Sequence, residues 1–308
     1  MILVTGATGF VGKALIELLD RQEMPYRPVS RTVRNGYAHV ANIDAETDWS
    51  APLDGVKTVV HLAARVHVMT ETTADPLVAF RAMNVDATVN LARQAVARGV
   101  KRFVFVSSIK VNGESTEAGR PFTADDRSAP QDAYGQSKLE AEQALLALGN
   151  ETGMEIVVIR PPLVYGPGVK ANFAALMRWA DSSIPFPFGA ARNARSLVYV
   201  ENLVDLILLC VHHLDAANDV FLVSDGEDLS TAELFRRLKN LQGGRSRIIA
   251  VPVSLLTTIF GLIGKTALAD RLLGSLQLDI AKTRVKLGWT PLISCEEGLR
   301  RTVEGSNR

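Results

Sequence analysis

Short apolar runs and longer amphipathic stretches alternate through the first half of the chain. Residues 2–4, 56–62, 103–106 and 156–159 are β-branched or aromatic runs bounded by turn residues, the pattern of strands buried on both faces. Between them, residues 11–21, 75–98 and 132–148 carry apolar positions at helical spacing; in the last, Leu139, Glu142 and Gln143 continue the period towards Leu146. Strands separated by helices predict an α/β fold, a doubly wound parallel (Rossmann) sheet covered on both sides. After Pro161-Pro162 the pattern changes. Tyr165-Gly-Pro-Gly168 is turn chemistry, and irregular segments such as that around Pro185, Pro187 and Gly189 separate the later helices. A dinucleotide-binding domain over 1–165 and a smaller, mostly helical C-terminal substrate lobe over 166–308 are therefore expected.

The first helix opens on Thr5-Gly-Ala-Thr-Gly-Phe-Val-Gly12, directly after the first strand. Gly6, Gly9 and Gly12 tighten the turn, admit a pyrophosphate to the backbone amides and let helix and sheet pack closely. Thr8, Phe10 and Val11 complete that cradle. The helix N-terminus would then face the phosphates with its positive dipole end. The second strand should end near Val29, where an NAD site usually places a carboxylate for the ribose. Here the chain reads Pro28-Val-Ser-Arg-Thr-Val-Arg34. Arg31 and Arg34 suit a 2′-phosphate, so NADP(H) is the preferred cofactor, with NAD(H) left open.

Tyr134-Gly-Gln-Ser-Lys138 sets a phenol and an ammonium four apart on one helix face. A phenol with an ordinary pKa of about 10 needs a nearby cation to exchange protons at neutral pH. With five tyrosines in the chain, the spacing alone says little. It gains weight from Ser107-Ser108, which follow the strand at 103–106, because parallel sheets bind ligands at their carboxyl ends.

These elements, with His61-Leu-Ala-Ala64, Asn84, Arg160-Pro-Pro-Leu-Val-Tyr-Gly-Pro-Gly168 and Leu287-Gly-Trp-Thr-Pro291, cover nearly the whole chain. In that order they resemble the extended short-chain dehydrogenases/reductases, in the nucleotide-sugar epimerase/dehydratase/reductase group. The resemblance implies catalysis by Ser108, Tyr134 and Lys138; counting back five residues from Gly113 selects Ser108 over Ser107. It implies cofactor contacts from Asn42 and Ile43 (Asn42 standing where the family often has an acidic adenine contact), Leu62, Ala63, Ala64, Asn84, Ser107 and Pro161. For substrate it implies Asn172 and Arg195 on a diphosphate, with Arg271, Arg65, His67 and Lys110 as further candidates. Residues 219–224 resemble the family's strand that rejoins the large sheet, so 196–224 should partly return to the first domain. His61 reads as a strand-end packing residue, and no His/Cys/Asp cluster has metal-ligand spacing.

The activity implied is NADP(H)-dependent reduction of a 4-keto, 6-deoxy sugar, with or without an N-acetylamino group, on a nucleotide diphosphate, within surface-polysaccharide biosynthesis. The alternatives are a UDP-sugar 4-epimerase with retained NAD and, from another class, a catalytically silent NADP-binding regulator. Homodimers through the helix carrying Tyr134 and Lys138 are common in the group.

Composition narrows the setting. Lys and Arg number 34 against 33 Asp and Glu, which argues against a nucleic-acid partner. Only two cysteines, Cys210 and Cys295, are present, too few for a disulfide framework. The chain opens on Met1-Ile-Leu-Val-Thr5, without a charged leader. A cytoplasmic enzyme is the expectation. One segment complicates this. Residues 251–264 carry no charge, and Leu255, Leu256, Ile259, Phe260 and Ile263 fall at helical spacing. The segment is either a packed wall of the second lobe or a peripheral contact with the inner membrane face, where a lipid-diphosphate sugar would be the substrate.

Overall fold

The computed structural model describes residues 1–66, 75–117, 119–244, 247–262, 264 and 266–306, with the side chains at 171–172 and 267–268 also left undescribed. Strands β1 (Ile2–Thr5), β2 (Tyr26–Ser30), β3 (Ala38–His39), β4 (Thr58–His61), β5 (Arg102–Val106), β6 (Glu155–Arg160) and β9 (Asp219–Leu222) form one sheet in the order β3-β2-β1-β4-β5-β6-β9. Every neighbouring pair runs parallel. Parallel strands need crossovers that cover both faces, which is why β1, β4 and β5 are almost wholly buried, with β1 and β5 mostly apolar. Arg102 is the exception in β5. Its guanidinium pairs with Glu155 at 2.7 Å and donates to the carbonyls of Cys210 and His213, so burial leaves no orphaned charge.

The chain leaves β1 towards β2 and β3 on one side, then crosses back to β4 on the other. That reversal opens a crevice at the carboxyl ends of β1 and β4. His61 closes its floor: Nδ1 meets Thr5 Oγ1 at 2.7 Å and Nε2 meets Thr88 Oγ1 at 3.0 Å. Burial holds this imidazole down at about 3, so it is neutral. His61 is a packing residue that ties the two strand ends.

Helices α1 (Phe10–Arg21), α2 (Pro76–Arg81), α3 (Ala87–Ala97) and α4 (Ala133–Thr152) cover the sheet, with a π-helical turn at Ala82–Asp86 joining α2 to α3. Helix α4 is unusual in what it buries. Beyond Ala141 and Leu145, its inner face holds Ser137, Lys138 and Glu142. Three polar residues facing a core require partners there, and this face looks at the ends of β5 and β6.

The second lobe contains a sheet too short to be read from hydrophobic pattern. Strands β7 (Leu163–Tyr165), β8 (Arg195–Tyr199) and β10 (Asp228–Leu229) pair in the order β10-β8-β7. Helix α5 (Ala171–Asp181) packs with α7 (Thr231–Leu241). Between β8 and β9 the chain runs through α6 (Val200–His212), which packs on α1. The polypeptide therefore returns to the large sheet between Val200 and Leu222. Tyr165 donates to Asp225 at 2.7 Å, a buried bond joining β7 to the loop after β9.

Helices α8 (Val253–Leu262) and α9 (Thr266–Leu273) form a hairpin beside this lobe; α10 (Ala281–Leu287) and α11 (Cys295–Ser306) complete the chain. The apolar positions of α8 point two ways. Leu256 is buried and Phe260 packs into the lobe against Phe188 at 6.1 Å. Leu255, Ile259 and Leu262 are 50%, 44% and 83% exposed. The single apolar face expected from spacing is thus two stripes, one inside and one out; Ile263 lies outside the described residues. Among the described residues, no helix is long and apolar enough to cross a membrane.

Candidate active site

The glycine turn approaches other backbone more closely than any side chain allows. Gly6 adopts φ +69°, and a Cβ there would stand 2.7 Å from the Ala63 nitrogen. A Cβ on Gly12 would collide with the Gly6 carbonyl. Gly9 caps α1 with no side-chain hydrogen bond, so the first amides of that helix face the crevice uncapped. Thr8 is exposed, while Phe10 and Val11 pack towards the second lobe.

Arg31 and Arg34 are exposed just beyond β2, and Arg34 Nε donates to Thr32 Oγ1 at 3.3 Å. No carboxylate occupies residues 28–34. Asn42 is exposed and Ile43 half-buried; Leu62, Ala63 and Ala64 line the loop after β4, against Gly6. Asn84 is used internally: its amide accepts from the Arg65 nitrogen at 2.8 Å and donates to the Arg65 carbonyl and Ser137 Oγ. It positions the loop at Arg65, whose guanidinium lies 5.9 Å from the Phe80 ring centre. Pro161 is buried and accepts from the Ile109 amide. His67 lies outside the described residues, as does the side chain of Asn172.

A dinucleotide fits this crevice. Besides the backbone approach at Gly6 and Gly12, the Ser107 hydroxyl is buried at the end of β5 with no hydrogen-bond partner among the described residues. Such a group needs a partner, and the crevice is where a cofactor would supply one.

Ser108, the next residue, caps a 3₁₀ turn at Ile109–Val111 and hydrogen-bonds Tyr134. Burial and then the Asp132 carboxylate push the Tyr134 phenol up to about 12, while the Ser108 bond opposes them. At neutral pH the phenol keeps its proton. Lys138, one turn along α4, donates Nζ to the Val106 carbonyl at 2.8 Å and sits 4.2 Å from the Phe105 ring centre. Burial pulls its ammonium down to about 7, with Glu142 working against that. Ser108 and Tyr134 are therefore hydrogen-bonded to each other, and Lys138, one helical turn from Tyr134, is fastened to the end of β5.

Next to Ser108 and Tyr134, which help to line it, opens a cavity of about 480 Å³ whose wall also holds Lys110, Glu114, Arg195 and Arg271. Apolar side chains, including Phe173, Trp179 and Leu272, form much of the wall. Lys110 bonds Glu114 at 2.7 Å and also pairs with Asp132, the residue that caps α4 through the Gly135 amide. Glu114 and Asp132 carried no motif and had no signal in the sequence. Arg195 donates to the Gly274 carbonyl at 2.9 Å. Burial first, and then the like charge of Arg271, push its pKa down. The Glu114 carboxylate works against both, and an anion bound between Arg195 and the exposed Arg271 would relieve their repulsion further.

The arrangement can exchange a proton with a substrate oxygen at Tyr134, hold that oxygen at Ser108 and bind a phosphate-bearing part of the substrate at the arginines. The chain is 48% identical to a UDP-glucose 4-epimerase of Vibrio cholerae, across 98% of this chain and 94% of that protein. It is 28% identical to the N-acetyl-alpha-D-glucosaminyl-diphospho-ditrans,octacis-undecaprenol 4-epimerase of Escherichia coli O157:H7, across 76% of this chain and 70% of that one. Its fold matches the structure of RMD from Pseudomonas aeruginosa complexed with NADPH at a TM-score of 0.79 and 24% identity, covering 100% and 99% of the two chains. The model of the NAD dependent epimerase/dehydratase family matches residues 2–224, and the chain belongs to that family, within the extended short-chain dehydrogenases/reductases.

Proposed function

We propose that this nucleotide-sugar-modifying enzyme inverts C4 of a UDP-sugar. The observation that carries the reading is the 48% identity to a UDP-glucose 4-epimerase along nearly the full length of both chains, with Ser108 and Tyr134 lining the cavity and Lys138 one turn along α4 from Tyr134. A bound nicotinamide dinucleotide, held by Gly6, Gly9, Gly12 and Ser107, would supply the hydride chemistry. Tyr134 exchanges the proton of the sugar C4 oxygen, Ser108 orients that oxygen, and the Lys138 ammonium favours the phenolate when the proton leaves. Arg195 and Arg271 hold the diphosphate, and the apolar wall excludes water around the sugar. The test is NMR of purified protein with UDP-glucose and UDP-N-acetylglucosamine and no added cofactor. Appearance of the C4 epimers without net cofactor consumption supports the reading.

A second reading is favoured by Arg31 and Arg34, which stand beyond β2 where a carboxylate would select NAD. It is NADPH-dependent reduction of a 4-keto-6-deoxy sugar by the same residues. Stoichiometric NADPH consumption with a 4-keto sugar nucleotide supports it over epimerisation.

The sugar carrier is open to the same treatment. The exposed stripe Leu255, Ile259 and Leu262 lies on α8, whose hairpin partner α9 contributes Arg271 and Leu272 to the cavity. A lipid-diphosphate sugar would place its phosphates at Arg195 and Arg271 and its chain near α8, and the 28% identical relative is named for such a carrier. A homodimer through α4 rests on the family resemblance alone; sedimentation tests it.

A further inference from the structure

Glu142 lies one turn beyond Lys138 on α4, is 1% exposed and takes no part in lining the cavity. It faces Arg160 at the end of β6, which is 5% exposed. Arg160 Nε lies 3.0 and 3.2 Å from the two carboxylate oxygens, and Nη2 lies 2.5 Å from Oε2. The remaining nitrogen donates to Asn112 Oδ1 at 2.9 Å, and Asn112 in turn donates to the Thr123 carbonyl. Every strong group of the pair is satisfied, in a fixed orientation.

A buried ion pair of this kind is a weak source of stability, because desolvating both charges offsets their attraction. Its position suggests another role. The groups that face Lys138 come from four elements. Tyr134 and Glu142 lie on its own helix, neutral His61 comes from β4, the Val106 carbonyl and Phe105 ring from β5, and Arg160 from β6 behind Glu142. Among the described residues, Glu142 is the one carboxylate acting on Lys138. We propose that Glu142, buried one helical turn from Lys138 and clamped by Arg160, is a positioning residue that keeps the Lys138 ammonium charged beside Tyr134. The inference rests on the reading of Tyr134 as the proton-exchanging group.

The direction of the effect follows from the charges. Burial draws Lys138 down to about 7 and Glu142 holds it up. Removing the carboxylate while keeping Arg160 removes an attraction and uncovers a like charge, so Lys138 loses its proton at lower pH. The cation that favours the Tyr134 phenolate is then missing at neutral pH.

The test follows Lys138 directly, in cofactor-free protein. Lysine side-chain carbons are labelled and the Lys138 resonance is assigned by its loss in Lys138→Met. In Glu142→Gln its titration midpoint should fall by about one pH unit or more, and in Glu142→Asp it should stay near that of the unmodified protein. Glu142→Gln leaves Arg160 buried without its partner, which can unfold the chain. The double variant Glu142→Gln, Arg160→Gln removes that charge and should still lower the midpoint, by less. An unchanged midpoint in either the single or the double variant overturns the proposal, since a merely structural pair would not move it. The alkaline limb of kcat should shift in the same direction. If the midpoint moves but no sugar nucleotide turns over, the positioning role stands and the substrate reading fails.

Discussion

Lys138 donates its ammonium to the Val106 carbonyl at 2.8 Å, which fastens the helix carrying Tyr134 to the strand end carrying Ser107 and Ser108. The phenol sits in a site where burial holds its proton up to about 12. Tyr134→Phe should therefore fold and bind dinucleotide while losing about 100- to 10,000-fold in turnover, the usual scale of general acid–base catalysis. Ser108→Ala should cost less, because the phenol can still reach the substrate oxygen. Single-turnover kinetics beside a fluorescence titration of the cofactor separates the two effects. Near-normal turnover in Tyr134→Phe would refute the assignment.

Much of this geometry is legible from the chain. Parallel strands buried on both faces leave uninterrupted apolar runs, so β1, β4, β5 and β6 stand out. Ser107-Ser108 follow such a run, and Tyr134 and Lys138 share a helix face, so topology alone carries them towards one crevice. Other parts leave no such trace. Glu142 falls on the helical period and Arg160 opens the segment 160–168, but their pairing leaves no trace, because a buried ion pair depends on what faces it from 18 residues away. Strands β7, β8 and β10 are two to five residues long, too short for a period to register. Helical spacing places the apolar residues of α8 on one face, yet Leu256 and Phe260 face the lobe while Leu255 and Ile259 face solvent.

The strand-end histidine gives a stability prediction. An unfolded imidazole takes a proton below about 6.5, whereas buried His61 resists until about 3. Unfolding therefore gains a proton in that window, and stability falls as pH drops through it. Between pH 7 and pH 5 the loss from this group should be about 2 kcal/mol. Urea melts of the unmodified protein and of His61→Leu at both pH values provide the check. The variant should be weaker at pH 7, having left Thr5 and Thr88 without their partner, but flatter between the two. Parallel slopes for the two proteins would remove His61 as the cause.

Arg195 and Arg271 set function against stability. Burial, and then repulsion from Arg271, push the Arg195 pKa down against the pull of Glu114, and a diphosphate would relieve the repulsion. Arg271→Met should raise the melting temperature of the ligand-free protein slightly while weakening UDP about 10- to 100-fold, the range of one or two charge-assisted hydrogen bonds. Calorimetry of UDP binding and a melting curve without ligand are sufficient. Undiminished UDP affinity in Arg271→Met and Arg195→Met alike would move the diphosphate elsewhere.

Cofactor choice turns on the loop after β2. Arg31 and Arg34 are exposed there without a carboxylate, so NADPH should bind more tightly than NADH. Arg31→Asp should weaken NADPH about 10- to 100-fold and leave NADH unchanged or improved, since the new carboxylate can accept from a ribose hydroxyl. Equal affinities in the unmodified protein would make the loop a solvated basic turn and strengthen the epimerase reading with bound NAD.

The outer stripe of α8 makes the last prediction. Leu255, Ile259 and Leu262 are exposed on a helix with no charged residue between Val253 and Leu262. A solvated helix face normally carries some charge. Burying three such side chains in a bilayer interface would contribute about 1.5–3 kcal/mol each at full burial, and less for the partial burial of a surface-lying helix. The unmodified protein should therefore float with vesicles of mixed zwitterionic and anionic lipid, and Leu255→Glu with Ile259→Glu should abolish floatation. Both positions already face solvent, so the substitutions should leave the melting temperature and UDP binding unchanged. A polyprenyl-diphosphate sugar should then be turned over faster by the unmodified protein than by the variant, whereas a UDP-sugar should not distinguish them. If the unmodified protein stays in the soluble fraction and a lipid-linked sugar is no better a substrate than a nucleotide-linked one, the stripe has no part in membrane contact or carrier recognition.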